Sequence, residues 1–303
     1  MADGGAVRRL VTTYLSFVHY AQRRDGWFQN FLTYDQNFVD REGSEDCFGR
    51  SVRACAQVLA SRLHPNIKQT ARHLLERARP RFAEIQAPRA RALLLIALDD
   101  IRRALPGEDW PRETARPIAH SLAALYRSQA EPGWRWFEPI LTYCNGLLPW
   151  SLFASGEPDC LPVARESLAF LHEVMAAGEC LDPVGCHGWY RRGGERARFD
   201  QQPVDADSFV QACLAGWRAT GEEHYREWAQ LGLDWFFGRN VHALALYDPS
   251  TGGCFDGLTA EGLNQNQGAE SCVVFLSAYL AMIEAGLVTP GSEAHAASPA
   301  RTP

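Results

Sequence analysis

Residues 27–34 read WFQNFLTY and residues 136–143 read WFEPILTY, matching at Trp, Phe, Leu, Thr and Tyr 109 positions apart. A third Trp-Phe step, Trp235-Phe236, follows after another 99 positions. Each interval is about a third of a 303-residue chain. Apolar residues recur at helical spacing between these points, over 6–22, 45–62, 66–80, 88–104, 114–130, 145–155, 161–177, 204–220, 222–237 and 266–285. Ser44 before Glu45, Asp205 ahead of Phe209 and Gly221 after Thr220 punctuate them as caps and stops. Period-2 alternation is scarce, with 243–248 the nearest approach to a strand. An interval of about 100 residues holds two helical hairpins of ~50 residues each, and stacked self-similar hairpins bury a shared core. The expectation is an all-α chain, an (α/α)6 toroid of six hairpins spanning 1–288 as one domain. Long polar excursions interrupt it at 23–44, 131–144 and 180–203, where function tends to sit.

Composition removes several chemistries. With 46% apolar and 22% charged residues the chain is neither disordered, collagenous nor coiled coil. A net charge of −6 leaves no electrostatic footprint for nucleic acid. Lys68 is the single lysine, and no G-x-x-x-x-G-K-[ST] run precedes it. Schiff-base, pyridoxal phosphate and P-loop chemistry therefore lack their lysine, and no dinucleotide fingerprint follows a strand, so no cofactor is expected. Nine irregularly spaced cysteines without a C-x-x-C pair read as reduced thiols of a cytoplasmic protein. Leu10–Ala21 reads as an amphipathic helix, since Thr12, Thr13, Ser16 and His19 interrupt it and no small-residue cleavage site follows. No apolar run reaches the ~18 residues of a membrane helix. The Gly/Ser/Ala/Pro tail, 289–303, reads as disordered. Oligomeric state is left open.

Polar clusters gather beside the repeat points. Asp35, Asn37, Glu45, Asp46 and Arg50 follow the first; Glu138, Tyr143 and Asn145 follow Trp136 at the second. His187, Trp189, Arg198, Asp200, Gln201 and Gln202 make a third cluster, and Arg239, Asn240, Asn266 and Glu270 a fourth. Indole and phenol faces stack on sugar rings, amides, Arg and His bind hydroxyls, and two carboxyls supply acid and base for glycoside cleavage. Each acid also has a plainer reading. Glu45, Asp46 and Glu270 open helices, where a carboxylate favours the macrodipole, and Asp205 or Asp207 reads as a cap. Adjacent Cys186 and His187, with a distant Cys144, make a weak zinc set, so no metal is expected. No thiol lies in a Cys/His/Asn grouping, and no G-x-S-x-G occurs.

Taken in order, GSEDCFGR (43–50), WFEPILTYCN (136–145), GCHGWYRRGG (185–194), RFDQQPVDA (198–206), FFGRN (236–240), GGCFDGL (252–258) and NQNQGAES (264–271) resemble a bacterial six-hairpin glycosidase-like family. The resemblance covers about residues 8–285. It implies the toroid and a carbohydrate ligand, and an association with genes for glycosyltransferases and mannoside phosphorylases. Relatives tend to read Leu-Thr-Tyr-Asp-Asn where this chain has Cys144, which moves weight to Asp35, Asp46, Glu138 and Asp200. Adding the resemblance to the residue chemistry gives a hydrolase of a mannose- or glucose-containing oligosaccharide. Glu138 or Asp46 is the acid and Asp200 or Asp35 the base. Glu138 is preferred because Trp136 and Phe137 flank it, whereas a helix start disfavours a protonated Asp46. A His-based isomerase or epimerase, a phosphorylase and a non-catalytic sugar-binding partner of a glycosyltransferase are the rivals.

Overall fold

A computed structural model describes residues 4–291. Of the tail expected to be disordered, 289–303, residues 292–303 lie outside the described residues. Ten helices occur among those described: α1 (Gly4–Ala21), α2 (Glu45–Ala60), α3 (Pro65–Ala78), α4 (Pro88–Ala104), α5 (Trp110–Gln129), α6 (Leu147–Ser155), α7 (Leu161–Met175), α8 (Pro203–Thr220), α9 (His224–Asp234) and α10 (Ala269–Glu284). They coincide one for one with the ten periodic stretches, to within a few residues at each end. The Trp-Phe steps fall at equivalent places, after α1, α5 and α9 and ahead of α2, α6 and α10. Their phenylalanines, Phe28, Phe137 and Phe236, are all buried. The interval between steps is thus four helices, the two hairpins that the spacing implies.

The chain divides into two compact units at Leu122/Ala123. In the first, α2 packs along α4 and α3, and α1 leans on α3. Ser44 caps α2 by accepting the Cys47 N–H at 3.1 Å. In the second, α8 packs on α6, α9 and α10. Every residue of α8 from Pro203 to Gly216 is buried, the signature of a helix covered on all sides. Gly146, just ahead of α6, lets α6 approach α8: a Cβ there would sit 2.1 Å from the Ser208 carbonyl oxygen. The Gly146 N–H donates to Ser208 Oγ at 3.2 Å across the same contact.

Four two-residue or three-residue antiparallel ladders decorate the second unit. They are β1 (Ile140–Leu141) with β4 (Tyr190–Arg191), β2 (Ala176–Ala177) with β3 (Cys180–Leu181), β5 (Tyr247–Asp248) with β6 (Gly253–Cys254), and β7 (Gly257–Thr259) with β8 (Gly262–Asn264). The strand expected over 243–248 survives only as Tyr247–Asp248. Asn240 is the reason: its Oδ1 accepts the His242 and Leu244 N–H groups, and its Nδ2 donates to the Trp235 and Leu244 carbonyls. That bonding coils 240–244 into a turn, and the gap between the periodic stretches that end at 237 and resume at 266 becomes a fourth long excursion, 238–268.

Candidate functional site

In the second unit three distant segments meet ahead of α6 and α8. β1 pairs with β4, so Leu141 lies opposite Tyr190. This brings the Tyr143 ring to 6.5 Å from the Trp189 ring, both partly exposed. The 185–200 segment folds back on itself: the Cys186 N–H donates to the Asp200 carbonyl at 2.8 Å and the His187 N–H to that of Phe199 at 3.2 Å. Gly185 makes the approach possible, because a Cβ there would lie 2.1 Å from the Phe199 oxygen. The Phe199–Asp200 peptide is cis. Buried Asp205, in the first turn of α8, accepts from the Asn145 N–H and Nδ2, each at 3.4 Å. Burial first, and then the charges of Asp200 and Asp205, raise the Cys186 thiol above its ordinary value. Tyr143, Asn145, Cys186, Trp189, Asp200 and Asp205 therefore form one cluster, with exposed His187 and half-buried Gln202 on its flanks.

Behind it stands a polar network that holds the loop. Buried Asp182 pairs with Arg196 and accepts from Gln201 Nε2 at 2.6 Å, while Trp235 Nε1 donates to Gln201 Oε1 at 3.1 Å. The Gln201 main chain bridges to Leu258. His242 stacks on Phe199 with ring centroids 5.1 Å apart and touches the Thr259 carbonyl through Nε2 at 2.9 Å. Asp256 accepts from Asn266 Nδ2, the Gly268 N–H and Ser271 Oγ at 2.5–2.7 Å, tying the last excursion to the start of α10. Burial alone would lift its carboxyl, but those three hydrogen bonds outweigh it and hold it below its ordinary value.

Several expected ligand residues are placed otherwise. Trp136 and Gln201 are fully enclosed, and Asn240 and Asn145 nearly so. The Trp136 indole is core, not a stacking platform; Gln201 and Asn240 spend their amides on Trp235, Asp182 and their own loops, and Asn145 spends its own on Thr142 and Asp205. Arg239 pairs with Asp234 at 2.6 Å, and Arg198 is an exposed cation 3.8 Å from Asp182. Glu270 and Asn266 are exposed at the approach to α10. Glu138 is half-buried beside two buried aromatics, its carbonyl accepting from Trp134 Nε1 at 2.8 Å.

The candidates of the first unit form two local groups. Asp35 accepts from Thr33 Oγ1 and, at 2.9 Å, from Asn37 Nδ2 in an exposed turn, and these two bonds lower its carboxyl below the usual value. Glu45 Oε2 accepts the Gln86 and Ala87 N–H groups at 2.8 and 2.5 Å, clamping the entry to α4. Asp46 pairs with Arg50 one turn on, at 2.7 Å. A cleft of about 540 Å³ in this unit is lined by Arg8, Arg9, Thr12, Thr13, His64, Asn66 and Ile67, with neither a carboxylate nor a Trp, Tyr or Phe side chain. Among the described residues, no three His, Cys, Asp or Glu side chains gather as a metal would require.

Asp205, Asp182 and Asp256 carry the site's framework and were missed as such. A carboxylate in the first turn of a helix reads as a cap, and only Asn145 from 60 residues away gives Asp205 its other role.

No protein-family model and no curated protein matches the sequence. Solved structures do match. An inactive variant of a family 76 α-1,6-mannanase from Salegentibacter sp. HEL1_6, bound to α-1,6-mannotetrose, is 13% identical with a TM-score of 0.64, over 97% of this chain and 84% of its own. A D-mannose isomerase is 14% identical with a TM-score of 0.66, over 92% and 82%. An unsaturated glucuronyl hydrolase specific for heparin is 11% identical with a TM-score of 0.63, over 95% and 80%. The chain has the six-hairpin glycosidase fold. At these identities the likeness is one of fold alone.

Proposed function

We propose that this protein is a glycoside hydrolase acting on a mannose- or glucose-containing oligosaccharide, with Asp200 as base and Glu138 as acid. The observation that carries this reading is the meeting of the Tyr143–Trp189 aromatic pair with the Asp200 segment around Cys186. Aromatic faces bind the apolar side of a sugar ring, and a half-exposed carboxylate beside them can activate water. Neighbours of the same fold named for mannanase, mannose isomerase and glucuronyl hydrolase activities agree on sugar as the substrate class. Asp35 is a weaker base candidate, since Thr33 and Asn37 already occupy its carboxylate. The absence of any disulfide among nine cysteines fits a reducing compartment such as the cytoplasm.

Reducing-end release from mannosides and glucosides tests the reading. Asp200→Asn and Glu138→Gln should each lower kcat by at least ~10²-fold with KM little changed. Wild-type turnover in both variants would remove these residues from the chemistry. A phosphate requirement would indicate a phosphorylase, and retained function with all carboxylates of the site neutralised would indicate a binding subunit.

One observation favours a second reading, sugar isomerisation. If His242 donates Nε2–H to the Thr259 carbonyl, its Nδ1 keeps a lone pair, in an imidazole stacked on Phe199. Incorporation of solvent deuterium at sugar carbon, abolished by His242→Phe, would replace hydrolysis with that chemistry.

A further inference from the structure

Arg8, Arg9, Thr12 and Thr13 recur one and four residues apart, so they share one face of α1. That face fronts the cleft of about 540 Å³ whose opposite wall is the start of α3, at His64, Asn66 and Ile67. Clefts of ~300–1,000 Å³ are the size that small molecules fill. Other arginines of the unit are paired at 2.6–2.8 Å, Arg23 with Asp25, Arg50 with Asp46 and Arg81 with Glu84. Neither the Arg8 nor the Arg9 guanidinium has a partner among the described residues, and no carboxylate lines the cleft. Two cations side by side without a counter-charge repel, and an anion shared between them removes that cost.

The opposite wall adds donors. His64 caps α3 by accepting the Asn66 N–H on Nδ1 at 3.3 Å, which puts the proton of the neutral ring on Nε2. That Nε2–H, the Asn66 side-chain amide and the Thr13 hydroxyl make no other bond among the described residues. Thr12 spends its proton on the Arg8 carbonyl at 2.8 Å and keeps a lone pair. The His64 carbonyl accepts the Ile67 and Lys68 N–H groups, so the end of α3 is itself satisfied and recognition falls to side chains.

We propose that this cleft binds the phosphate monoester of a small polyol, with Arg8 and Arg9 sharing the phosphate and Thr13, His64 and Asn66 meeting the polyol. Guanidinium forks match the oxygens of a phosphate, and two of them balance its charge of about −1.5 to −2 at pH 7. The volume exceeds what a bare phosphate ion fills, and the remaining wall of hydroxyl, amide and Ile67 suits a body that carries hydroxyls. A nucleotide fits less well, because no Trp, Tyr or Phe lines the cleft for a base to stack on. Binding is read without turnover, so it holds or fails independently of the hydrolysis proposed for the second unit.

Isothermal titration calorimetry of the full chain with glucose 6-phosphate tests this, in about 0.15 M salt to screen unspecific attraction between exposed charges. The expected result is one site with Kd below about 1 mM, weaker competition by inorganic phosphate and none by glucose. Arg8→Gln with Arg9→Gln should weaken binding by about tenfold or more with unchanged circular dichroism, since both side chains are exposed. Should that variant misfold, Asn66→Asp keeps the test open. An acid in the first turn of α3 favours the helix yet repels phosphate, so affinity should fall by about tenfold while Tm holds or rises. No binding at about 10 mM glucose 6-phosphate, full affinity in either variant, equal affinity for inorganic phosphate, or binding to phosphatidate vesicles alone would overturn the proposal.

Discussion

The Cys186 thiol reports on the carboxylates around it. Burial and the charges of Asp200 and Asp205 raise it, so little thiolate exists at neutral pH and alkylation should be slow. Asp200→Asn removes one of those charges and should speed iodoacetamide labelling of Cys186 severalfold, read by peptide mass spectrometry. An unchanged rate would separate the two groups. Asp256 offers a second residue-scale test. Its folded carboxyl is lowered, so its stabilisation is present above the ordinary carboxylate range and is lost as pH falls through the folded value. Asp256→Asn should therefore lower Tm at pH 7, with the gap from wild type closing below about pH 4. A gap that is constant with pH would mean that the lost bonds are not those of a carboxylate.

Among the elements, α6 and α8 meet at a place where one methyl group is too many. Gly146→Ala should cost about 2–4 kcal/mol, seen as a lower midpoint in urea, because the added carbon meets the Ser208 main chain rather than a movable side chain. A neutral result would place the close approach elsewhere. Helix α7 and helix α9 are joined by His172, stacked 3.9 Å from the Trp228 ring, and burial lowers this imidazole below its usual value. Folding then disfavours the protonated form, and stability is lost as pH falls from about 6.5 through the folded value. His172→Phe should flatten that part of the stability profile in urea titrations between pH 7 and 5.

Over the whole molecule, no helix of the described residues is long and apolar enough to cross a membrane. Five cysteines, Cys55, Cys144, Cys160, Cys213 and Cys254, are buried, and Cys47, Cys180, Cys186 and Cys272 are partly exposed. A thiol reagent should find at most those four in the native protein and all nine in guanidinium. A shortfall of two in denaturant would show a disulfide and place the chain in an oxidising compartment.

All ten helices were legible because helix formation is local: spacing, caps and Gly stops act within a few residues, and the Trp-Phe steps mark every fourth helix. The apolar repeat likewise determined the fold class. The site was legible only as a set of polar segments. Whether Trp136 or Trp189 is enclosed, whether Gln201 bonds to Trp235 or is left open, and whether Asp205 caps a helix or holds Asn145 depend on partners 30–60 residues away. The excursion at 238–268 shows in the sequence only as a gap in the helical periodicity, and its course is set by Asn240 and Asp256 rather than by any period. Tertiary structure alone decided these, since burial and long-range hydrogen bonds are properties of the packed chain and leave no periodic trace in its sequence.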